Sequence, residues 1–260
     1  MSQSDSSAPN VTTLRPAPRI VPREEHNVSR SRISEAALRV LYRLKNAGFR
    51  GLLVGGGVRD LLLEGNPKDF DIATDARPEQ VRELFRNCRL IGRRFRLAHV
   101  HFGREVIEVA TFRAQAAEED NDADHEVEDG RIVRDNVYGT LDDDVWRRDF
   151  TINALYYDIA DFSIIDYAGG MVDIQARNLR LIGDPEQRYR EDPVRLLRAI
   201  RFAAKLGFDI DPGTAAPIRE LGHLLAYIPG ARLYDEFLKL LLSGHAAVTF
   251  PRLIEYELLE

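Results

Sequence analysis

Residues 53–74, LVGGGVRDLLLEGNPKDFDIAT, constrain the fold more than any other stretch of this chain. An apolar run that ends in glycines is typical of a short buried strand, and VRDLLLEG predicts a short helix. DFDIAT predicts a second strand, on which Asp69 and Asp71 share one face while Phe70 and Ile72 point into the core. The stretch therefore predicts two strands joined through a Gly-rich turn, with two carboxylates side by side.

Two carboxylates on one strand face repel each other unless a positive charge lies between them. A hard divalent cation suits oxygen ligands, and Mg²⁺ is usually held by one or two carboxylates together with substrate phosphates. Gly56 and Gly57 would let backbone N–H groups approach a phosphate, and Arg59 would add a forked donor. The alternatives are a solvated strand end and an ordinary tight turn, with Lys68 either near phosphate or on the surface.

The bulk composition is that of a globular protein without a membrane span. The chain has 260 residues, of which 44% are hydrophobic and 30% charged, and it has a single cysteine. A disulfide framework and a Cys-based zinc site are thereby excluded. No apolar run approaches the ~20 residues of a membrane helix, and the N-terminus lacks the apolar core of a secretory signal. A cytoplasmic location is the default expectation.

The formal net charge of -6 conceals an uneven distribution. The block AAEEDNDADHEVEDG, residues 116–130, is strongly acidic, whereas arginines cluster at 93–96, 147–148 and 188–201. Net charge therefore does not exclude a phosphate-rich partner. The acidic block predicts a long mobile loop over 114–136 between strands.

Helix and strand patterns predict an α+β fold in three parts. Residues 1–28 are rich in Ser, Pro and Arg and are expected to form a disordered arm. Residues 29–183 mix both patterns, with a strand pair up to Phe112 and a hairpin that turns at Gly169-Gly170. The pattern of residues 184–260 predicts helices throughout, and it predicts that the last residues, LIEYELLE, lie inside a helix.

Four motifs in the same order resemble one known family. They are LVGGGVRDLLLEGNPKDFDIAT, RRDFTINAL (147–155), DYAGGMVDI (166–174) and REDPVRLLRAIRFAAKLGF (190–208). Together they are similar to the polymerase-β-type nucleotidyltransferases, in the branch of bacterial poly(A) polymerases and CCA-adding tRNA nucleotidyltransferases. The resemblance implies a mixed-sheet nucleotidyltransferase head followed by an all-helical neck. Bacterial poly(A) polymerases usually continue past this point into a basic RNA-binding region, so that the neck is expected to be truncated; a whole protein that stopped here would lack that region for processive RNA binding.

The resemblance implies a metal-dependent site with three acidic residues. Asp69 and Asp71 would hold Mg²⁺, or Mn²⁺, and Asp149 would complete the catalytic set or position the ribose. Glu108, on an alternating strand, is a rival third carboxylate. Arg148 and Asn153, from the motif that contains Asp149, would contact the nucleotide. A charge cluster at a helix N-terminus is the structural alternative for this motif.

The fourth motif implies recognition of the base. Asp192, Arg195 and Arg198 recur at intervals of three residues and can line one stripe of a helix. A carboxylate accepts from an exocyclic amine and a guanidinium donates to ring nitrogens, so that the pair can read a base edge. In CCA-adding relatives the matching residues act as a protein template. The alternative is a set of i,i+3 and i,i+4 ion pairs on a solvated helix, each worth ~0.2–0.5 kcal/mol.

The run LIGRRF at 90–95 resembles the poly(A) polymerase branch, and Arg93, Arg94 and Arg96 would contact the backbone of an RNA primer. The expected activity is template-independent addition of AMP from ATP to RNA 3′ ends, with release of pyrophosphate. RNA-decay or RNA-chaperone proteins are the implied protein partners. A CCA- or A-adding tRNA nucleotidyltransferase is the first alternative, and a catalytically weak RNA- or nucleotide-binding module is the second.

Overall fold

The computed structural model describes residues 15–92, 96–114, 127–128, 131–132 and 137–259. The first half contains β1 (Arg19–Val21), α1 (Glu35–Asn46), β2 (Gly51–Val54), α2 (Gly56–Leu62), β3 (Asp71–Thr74), α3 (Pro78–Leu84), β4 (Cys88–Ile91), β5 (Leu97–Phe102), β6 (Glu105–Thr111), β7 (Val127–Glu128) and β8 (Arg131–Ile132). The second half contains α4 (Leu141–Trp146), β9 (Leu155–Asp158), β10 (Ile164–Asp166), α5 (Gly170–Ala176), β11 (Asn178–Leu179), α6 (Pro185–Glu191), α7 (Val194–Leu206), β12 (Asp209–Ile210), α8 (Pro212–Ala215), α9 (Ile218–Leu221), α10 (Gly230–Leu242) and α11 (Ala246–Glu255).

The main sheet of the described residues has the strand order β1-β10-β9-β2-β3-β6-β5-β4. β3 and β6 run parallel, and the other neighbouring pairs of this sheet are antiparallel. The prediction of an α+β chain with a mixed sheet is confirmed. In this parallel pair the start of β3 lies beside the middle of β6, so that Asp71 is directly beside Glu108.

Both faces of the central strands are covered. Leu53 and Ile72 belong to one buried cluster, whereas Leu52 and Ala73 belong to the cluster on the opposite face. A strand buried on both faces has no polar alternation, which explains the continuous apolar run that opens the Gly-rich stretch.

Two local predictions about strands need correction. The strand predicted from Asp69 begins at Asp71, and Asp69 lies in the irregular segment before it. Phe70 and Ile72 are buried as predicted. The predicted strand pair is accompanied by a further strand, β4, which pairs with β5.

The predicted hairpin at Gly169-Gly170 is wrong, because the chain enters helix α5 there. The Asp166 carboxylate accepts hydrogen bonds from the backbone N–H groups of residues 168 to 171 and so begins the helix. Gly169 has φ +79, and Gly170 packs against the backbone of Thr151. A side-chain cap and a close backbone approach therefore override the turn that two glycines suggest.

The helical half is interrupted at Pro193, between α6 and α7. Proline lacks a backbone N–H and disfavours helical geometry at the residue before it, so that Asp192 has φ -148. Asp192, Arg195 and Arg198 are therefore not on one continuous helix, contrary to prediction. The last predicted helix also ends earlier than expected, at Glu255.

The described part of the predicted disordered arm is ordered. β1 pairs with β10 at the edge of the sheet, and Val21 and Val28 are buried. Residues 1–14 and most of the predicted loop 114–136 lie outside the described residues. The described parts of this loop include β7 and β8, which pair as a short antiparallel ribbon. Among the described helices none is long and apolar enough to cross a membrane.

Candidate active site

The Gly-rich turn brings the end of β2 close to the first residue of β3. Val54 pairs with Asp71 across these strands, and Gly55 follows with φ +73, a conformation that favours glycine. A Cβ on Gly55 would lie 3.8 Å from both Arg148 Nη1 and Asp71 Oδ2. One on Gly57 would lie 3.4 Å from the Asp69 carbonyl oxygen. Because glycine has no side chain, Gly55 and Gly57 leave room beside the two aspartates.

Three carboxylates lie together where β3 begins beside β6. Asp71 and Glu108 are register neighbours on β3 and β6, Asp69 precedes Asp71 by two residues, and all three are exposed. Water reaches Asp71 from one side, but the protein surrounds it on the others. Burial and then the charge of Glu108 raise the pKa of Asp71 to about 6; Arg148 opposes this and Asp69 adds to it. His99 Nε2 is 3.5 Å from Glu108 Oε1.

The donor set fits Mg²⁺ better than a metal that prefers nitrogen or sulfur. Asp71, Glu108 and Asp69 offer carboxylate oxygens only, and burial of Asp71 and the charge of Glu108 raise the pKa of Asp71, as expected of an anion that a cation would stabilise. Within the described residues, no three His, Cys, Asp or Glu side chains form a ready metal cage. Mg²⁺ keeps part of its shell for water and substrate phosphates, so that one or two carboxylates are sufficient.

The glycine turn and the aspartates line a cavity of about 730 Å³, hereafter the glycine-turn cavity. Its head wall contains Gly56, Gly57, Arg59, Lys68, Asp69 and Asp71. Its other wall comes from α7, α10 and the residues after α10, and contains Arg201, Lys205, Lys239 and His245. The structure therefore brings together five of the predicted site residues and faces them with basic side chains.

Arg59 lies at the base of this cavity and is almost fully buried. Its guanidinium donates to Asp60 Oδ1 at 2.7 Å and 2.8 Å and to Asn153 Oδ1 at 2.7 Å. Asn153 in turn donates to Asp149 Oδ1 at 3.2 Å. Asn153 sits in a single 3-10 turn, and its side chain links Arg59 to Asp149.

Asp149 is held by groups from two parts of the chain. Its Oδ1 accepts from the backbone N–H of Phe150 at 2.8 Å, and its Oδ2 accepts from Arg198 Nε at 2.9 Å and from Arg198 Nη2. Burial acts to raise the pKa of Asp149, but the charge and hydrogen bonds of Arg198 outweigh it and lower the pKa. Asp149 is thus an anion whose oxygens already have donors.

A second cavity of about 270 Å³ lies beside Asp149, hereafter the arginine cavity. It is lined by Arg147, Arg148, Asp149, Asp192, Val194, Arg195, Arg198, Arg232 and Glu236. Asp192 Oδ2 accepts from Arg232 Nη2 at 2.7 Å, while Asp192 Oδ1 is buried and has no partner. Arg195 donates to the Arg188 carbonyl at 2.6 Å and to Glu191 at 3.3 Å. The three predicted base-reading residues therefore line one cavity despite the helix break.

Glu236 of α10 lies between the two cavities and is 6% exposed. Its carboxylate is 3.8 Å from Arg198 Nη1 and 3.7 Å from Arg201 Nη2, and it accepts from Lys239 Nζ at 2.7 Å. Three guanidinium groups, of Arg59, Arg198 and Arg201, also lie 4.4–5.4 Å from the ring centroid of Phe202. Sequence reasoning missed Glu236 and Arg232, because no spacing rule relates α10 to α7.

Asp144 is a further residue that sequence reasoning missed. It is 1% exposed and accepts from Arg148 Nη2 at 2.9 Å, Arg147 Nε at 2.9 Å and the Tyr156 hydroxyl at 2.8 Å. Asp144 therefore fixes the guanidinium of Arg148 beside the glycine turn. The signal was present, since Asp144 and Arg148 are four residues apart near the end of a helix.

The predicted primer-binding arginines are only partly described. Arg93 and Arg94 lie outside the described residues, and Arg96 Nη1 binds Glu79 Oε1 at 2.6 Å. Arg96 thus has a partner within the protein, on α3.

Carboxylates on and just before two neighbouring strands, with a Gly-rich turn beside them and a helical wall opposite, are the arrangement of a nucleotidyltransferase. Two family models agree: the poly A polymerase head domain matches residues 52–180, and the probable RNA and SrmB-binding site of polymerase A matches residues 207–260. The chain belongs to the poly(A) polymerase and tRNA nucleotidyltransferase family.

Curated relatives of both branches are similar to this chain. Poly(A) polymerase I of Salmonella typhimurium is 56% identical over all of this chain and 56% of its own length. Poly(A) polymerase I of Haemophilus influenzae is 51% identical over 93% of this chain and 54% of its own length. The CCA-adding enzyme of Lactobacillus helveticus is 37% identical over 86% of this chain and 54% of its own length. The chain spans little more than half the length of these relatives.

Solved structures of tRNA-extending enzymes share the fold. The Bacillus stearothermophilus CCA-adding enzyme in complex with CTP is similar with a TM-score of 0.72 and 37% identity, over 86% of this chain and 52% of that one. A tRNA nucleotidyltransferase complexed with a primer tRNA and an incoming ATP analog has a TM-score of 0.69 and 30% identity, over 85% and 61%.

Proposed function

We propose that this chain carries the active site of a template-independent RNA adenylyltransferase, which adds AMP from ATP to RNA 3′ ends and releases pyrophosphate. The observation that carries the proposal is the placement of Asp69, Asp71 and Glu108 where β3 begins beside β6, next to a Gly-rich turn. The choice of ATP and of RNA 3′ ends is supported by the 56% identity to poly(A) polymerase I, against 37% to a CCA-adding enzyme.

Asp69 and Asp71 would hold the divalent cation, Mg²⁺ or Mn²⁺, with Glu108 as the third carboxylate. A bound cation of this kind neutralises phosphate oxygens and makes a hydroxyl a better nucleophile. Glu108 is favoured over Asp149 as the third ligand because it is the register neighbour of Asp71, whereas the oxygens of Asp149 are engaged by Arg198, Phe150 and Asn153.

The other residues would bind and orient the nucleotide. Gly56 and Gly57 leave space for the triphosphate, and Arg148, fixed by Asp144, faces the same turn. Arg59 and Asn153 would support this wall from behind, since their polar groups bond to each other. Asp149 would position Arg198, while Asp192 and Arg195 would read adenine in the arginine cavity.

The decisive experiment offers the purified chain an oligo(A) primer and a tRNA that lacks CCA, with each of the four nucleoside triphosphates in turn. A long tail of A on oligo(A), with Mg²⁺ or Mn²⁺ required, supports the proposal. Addition that stops after C-C-A on the tRNA supports the first alternative. Binding of ATP without AMP incorporation on either primer supports the second alternative, a catalytically weak RNA- or nucleotide-binding module.

A matched pair of variants separates chemistry from folding. Asp69→Ala and Asp71→Ala are expected to abolish AMP incorporation while the far-UV circular dichroism spectrum stays unchanged, because both side chains are exposed. Near-normal AMP incorporation by either variant would contradict the assignment of that aspartate as a ligand of the divalent cation. Lys45→Met on α1, exposed and away from both cavities, is the control that should retain full activity.

A further inference from the structure

The glycine-turn cavity is lined by three lysines from three separate segments, one beside the carboxylates and two on the helical wall that faces them. Lys68 precedes β3, Lys205 is near the end of α7 and Lys239 lies on α10; all three are exposed. We refer to them as the lysine wall. They are distant in sequence, so that only the approach of the helical segment to the glycine turn brings them together.

The lysine wall is short of negative charge. In the part of the chain that the structure describes, neither Lys68 nor Lys205 has a carboxylate within ion-pair distance. Burial is the largest effect and lowers the pKa of Lys205; Asp60 acts next and raises it, and the charges of Arg59, Arg201 and Lys68 each lower it further. Cations gathered around one cavity attract an anion that can bridge them.

Lys239 differs because it has a partner that keeps it in place. Its Nζ donates to the buried Glu236 carboxylate at 2.7 Å, and Glu236 also lies near Arg201 of the same cavity. One carboxylate shared among Arg198, Arg201 and Lys239 leaves the group with a net positive charge. The wall therefore stays cationic even where an ion pair forms.

The relative positions of the two cavities indicate which anion the wall receives. Asp192 and Arg195 line the arginine cavity, whereas the glycine turn and the metal carboxylates line the other. A nucleotide with its base in the first cavity and its reacting phosphate at Asp69 and Asp71 has two further phosphates to place. In the glycine-turn cavity, Lys68 beside the carboxylates and Lys205 and Lys239 opposite them are cationic groups able to receive these two phosphates.

We infer that Lys205, with Lys68 and Lys239, forms the binding site for the pyrophosphate end of the nucleotide, which is also the leaving group of the transfer. The inference rests on the proposed function and adds to it a binding role for the helical segment. In the transfer, the bond between the first and second phosphates breaks while the RNA 3′ oxygen bonds to the first. The pyrophosphate leaves with the electron pair of the broken bond and remains next to the lysines.

The test measures binding of inorganic pyrophosphate by isothermal titration calorimetry, with Mg²⁺ present, which requires no catalysis. Lys205→Met keeps most of the alkyl chain and removes the charge, and we expect its Kd for pyrophosphate to rise about tenfold. Lys205→Arg is expected to restore binding, because it restores the charge. Lys45→Met should match the unmodified chain. An unchanged Kd for Lys205→Met, or an unmodified chain that does not bind pyrophosphate, overturns the inference.

Steady-state kinetics then distinguish the nucleotide from the RNA backbone as the source of the phosphates. Lys205→Met is expected to raise KM for ATP and the inhibition constant of pyrophosphate by a similar factor, with KM for oligo(A) unchanged. A rise in KM for oligo(A) alone would assign the wall to RNA and overturn the inference. If the unmodified chain binds pyrophosphate but incorporates no AMP, the proposed function fails while the binding site stands.

Discussion

Arg198 of α7 donates two hydrogen bonds to one oxygen of Asp149, which lies 49 residues earlier, and so joins the helical segment to the motif after α4. Both groups are largely removed from water, and removal of the Asp149 charge leaves Arg198 with the more distant Glu236 carboxylate, at 3.8 Å, as its acidic neighbour. Such a loss costs about 3–5 kcal/mol for buried pairs. The pair therefore fixes the position of α7 relative to the glycine turn.

The first prediction concerns stability and pH. A carboxyl with a lowered pKa in the folded protein stabilises the fold above its pKa in the unfolded chain, and this contribution is lost as pH falls through the folded value. The pKa of Asp149 is lowered. We therefore expect Asp149→Asn to lower the free energy of unfolding at pH 7 by about 3 kcal/mol. The difference from the unmodified chain should shrink below about pH 4, measured by urea unfolding.

Asp158→Asn is the control for Asp149→Asn, because Asp158 is bound by the partly exposed Arg50 at 3.5 Å. A surface pair of this kind contributes about 0–1 kcal/mol. Equal decreases in the free energy of unfolding of the two variants would show that the contact of Arg198 with Asp149 stabilises the fold no more than a surface contact does.

The second prediction concerns the pKa of Asp71, which is raised to about 6. The sign is opposite to that of Asp149: the folded chain binds the proton more readily than the unfolded chain, so stability falls as pH rises from about 4 to 6. A divalent cation competes with the proton. We expect Mg²⁺ to raise Tm at pH 7.5 and to raise it much less at pH 5, where Asp71 is largely protonated.

Asp71→Asn should abolish the Mg²⁺-dependent rise in Tm, whereas Asp209→Asn, at an exposed position of β12, should retain it. Differential scanning fluorimetry at the two pH values gives the comparison. The same Mg²⁺ effect at both pH values would contradict a role for the Asp71 proton.

The third prediction separates Glu108 from its strand neighbour. Glu105 and Glu108 are both exposed on β6, but Glu108 is the register neighbour of Asp71 and Glu105 is not. We expect Glu108→Gln to reduce kcat for AMP incorporation by about 100-fold or more, because one oxygen ligand loses its charge. Glu105→Gln should leave kcat within twofold. Equal activity of the two variants would leave Asp149 as the better candidate for the third carboxylate.

The fourth prediction concerns the close approach at Gly170. A Cβ there would lie 2.9 Å from the carbonyl carbon of Thr151 and 3.1 Å from Leu155 Cδ2. Backbone cannot move aside as a flexible side chain can, so that Gly170→Ala is expected to destabilise the chain by about 3 kcal/mol. Gly230→Ala meets no atom within 4 Å and should be neutral or slightly stabilising. Thermal unfolding of the two variants tests this, and similar Tm values would contradict the contact.

The sequence by itself determined the local elements and the candidate residues for metal and nucleotide binding. Apolar runs that end in glycine predicted β2 and the turn after it, and the alternation around Asp71 predicted the buried side chains of β3. These features depend on neighbours within a few residues, where periodicity and turn chemistry decide. Four motifs in order also identified the family. The hairpin predicted at Gly169-Gly170 failed because the Asp166 carboxylate caps helix α5 and because Gly170 packs against the backbone of Thr151, a contact between segments distant in sequence.

Only the tertiary structure decided which charges meet. The parallel pairing of β3 with β6 brings Glu108 to Asp71, and the packing of α7 brings Arg198 to Asp149. The positions of Glu236, Arg232 and the lysine wall were likewise found only in the tertiary structure. They depend on how α10 packs against α7, and no spacing rule relates these two helices. Ion pairs between segments depend on where helices and strands dock, and that position is set by the burial of the whole core.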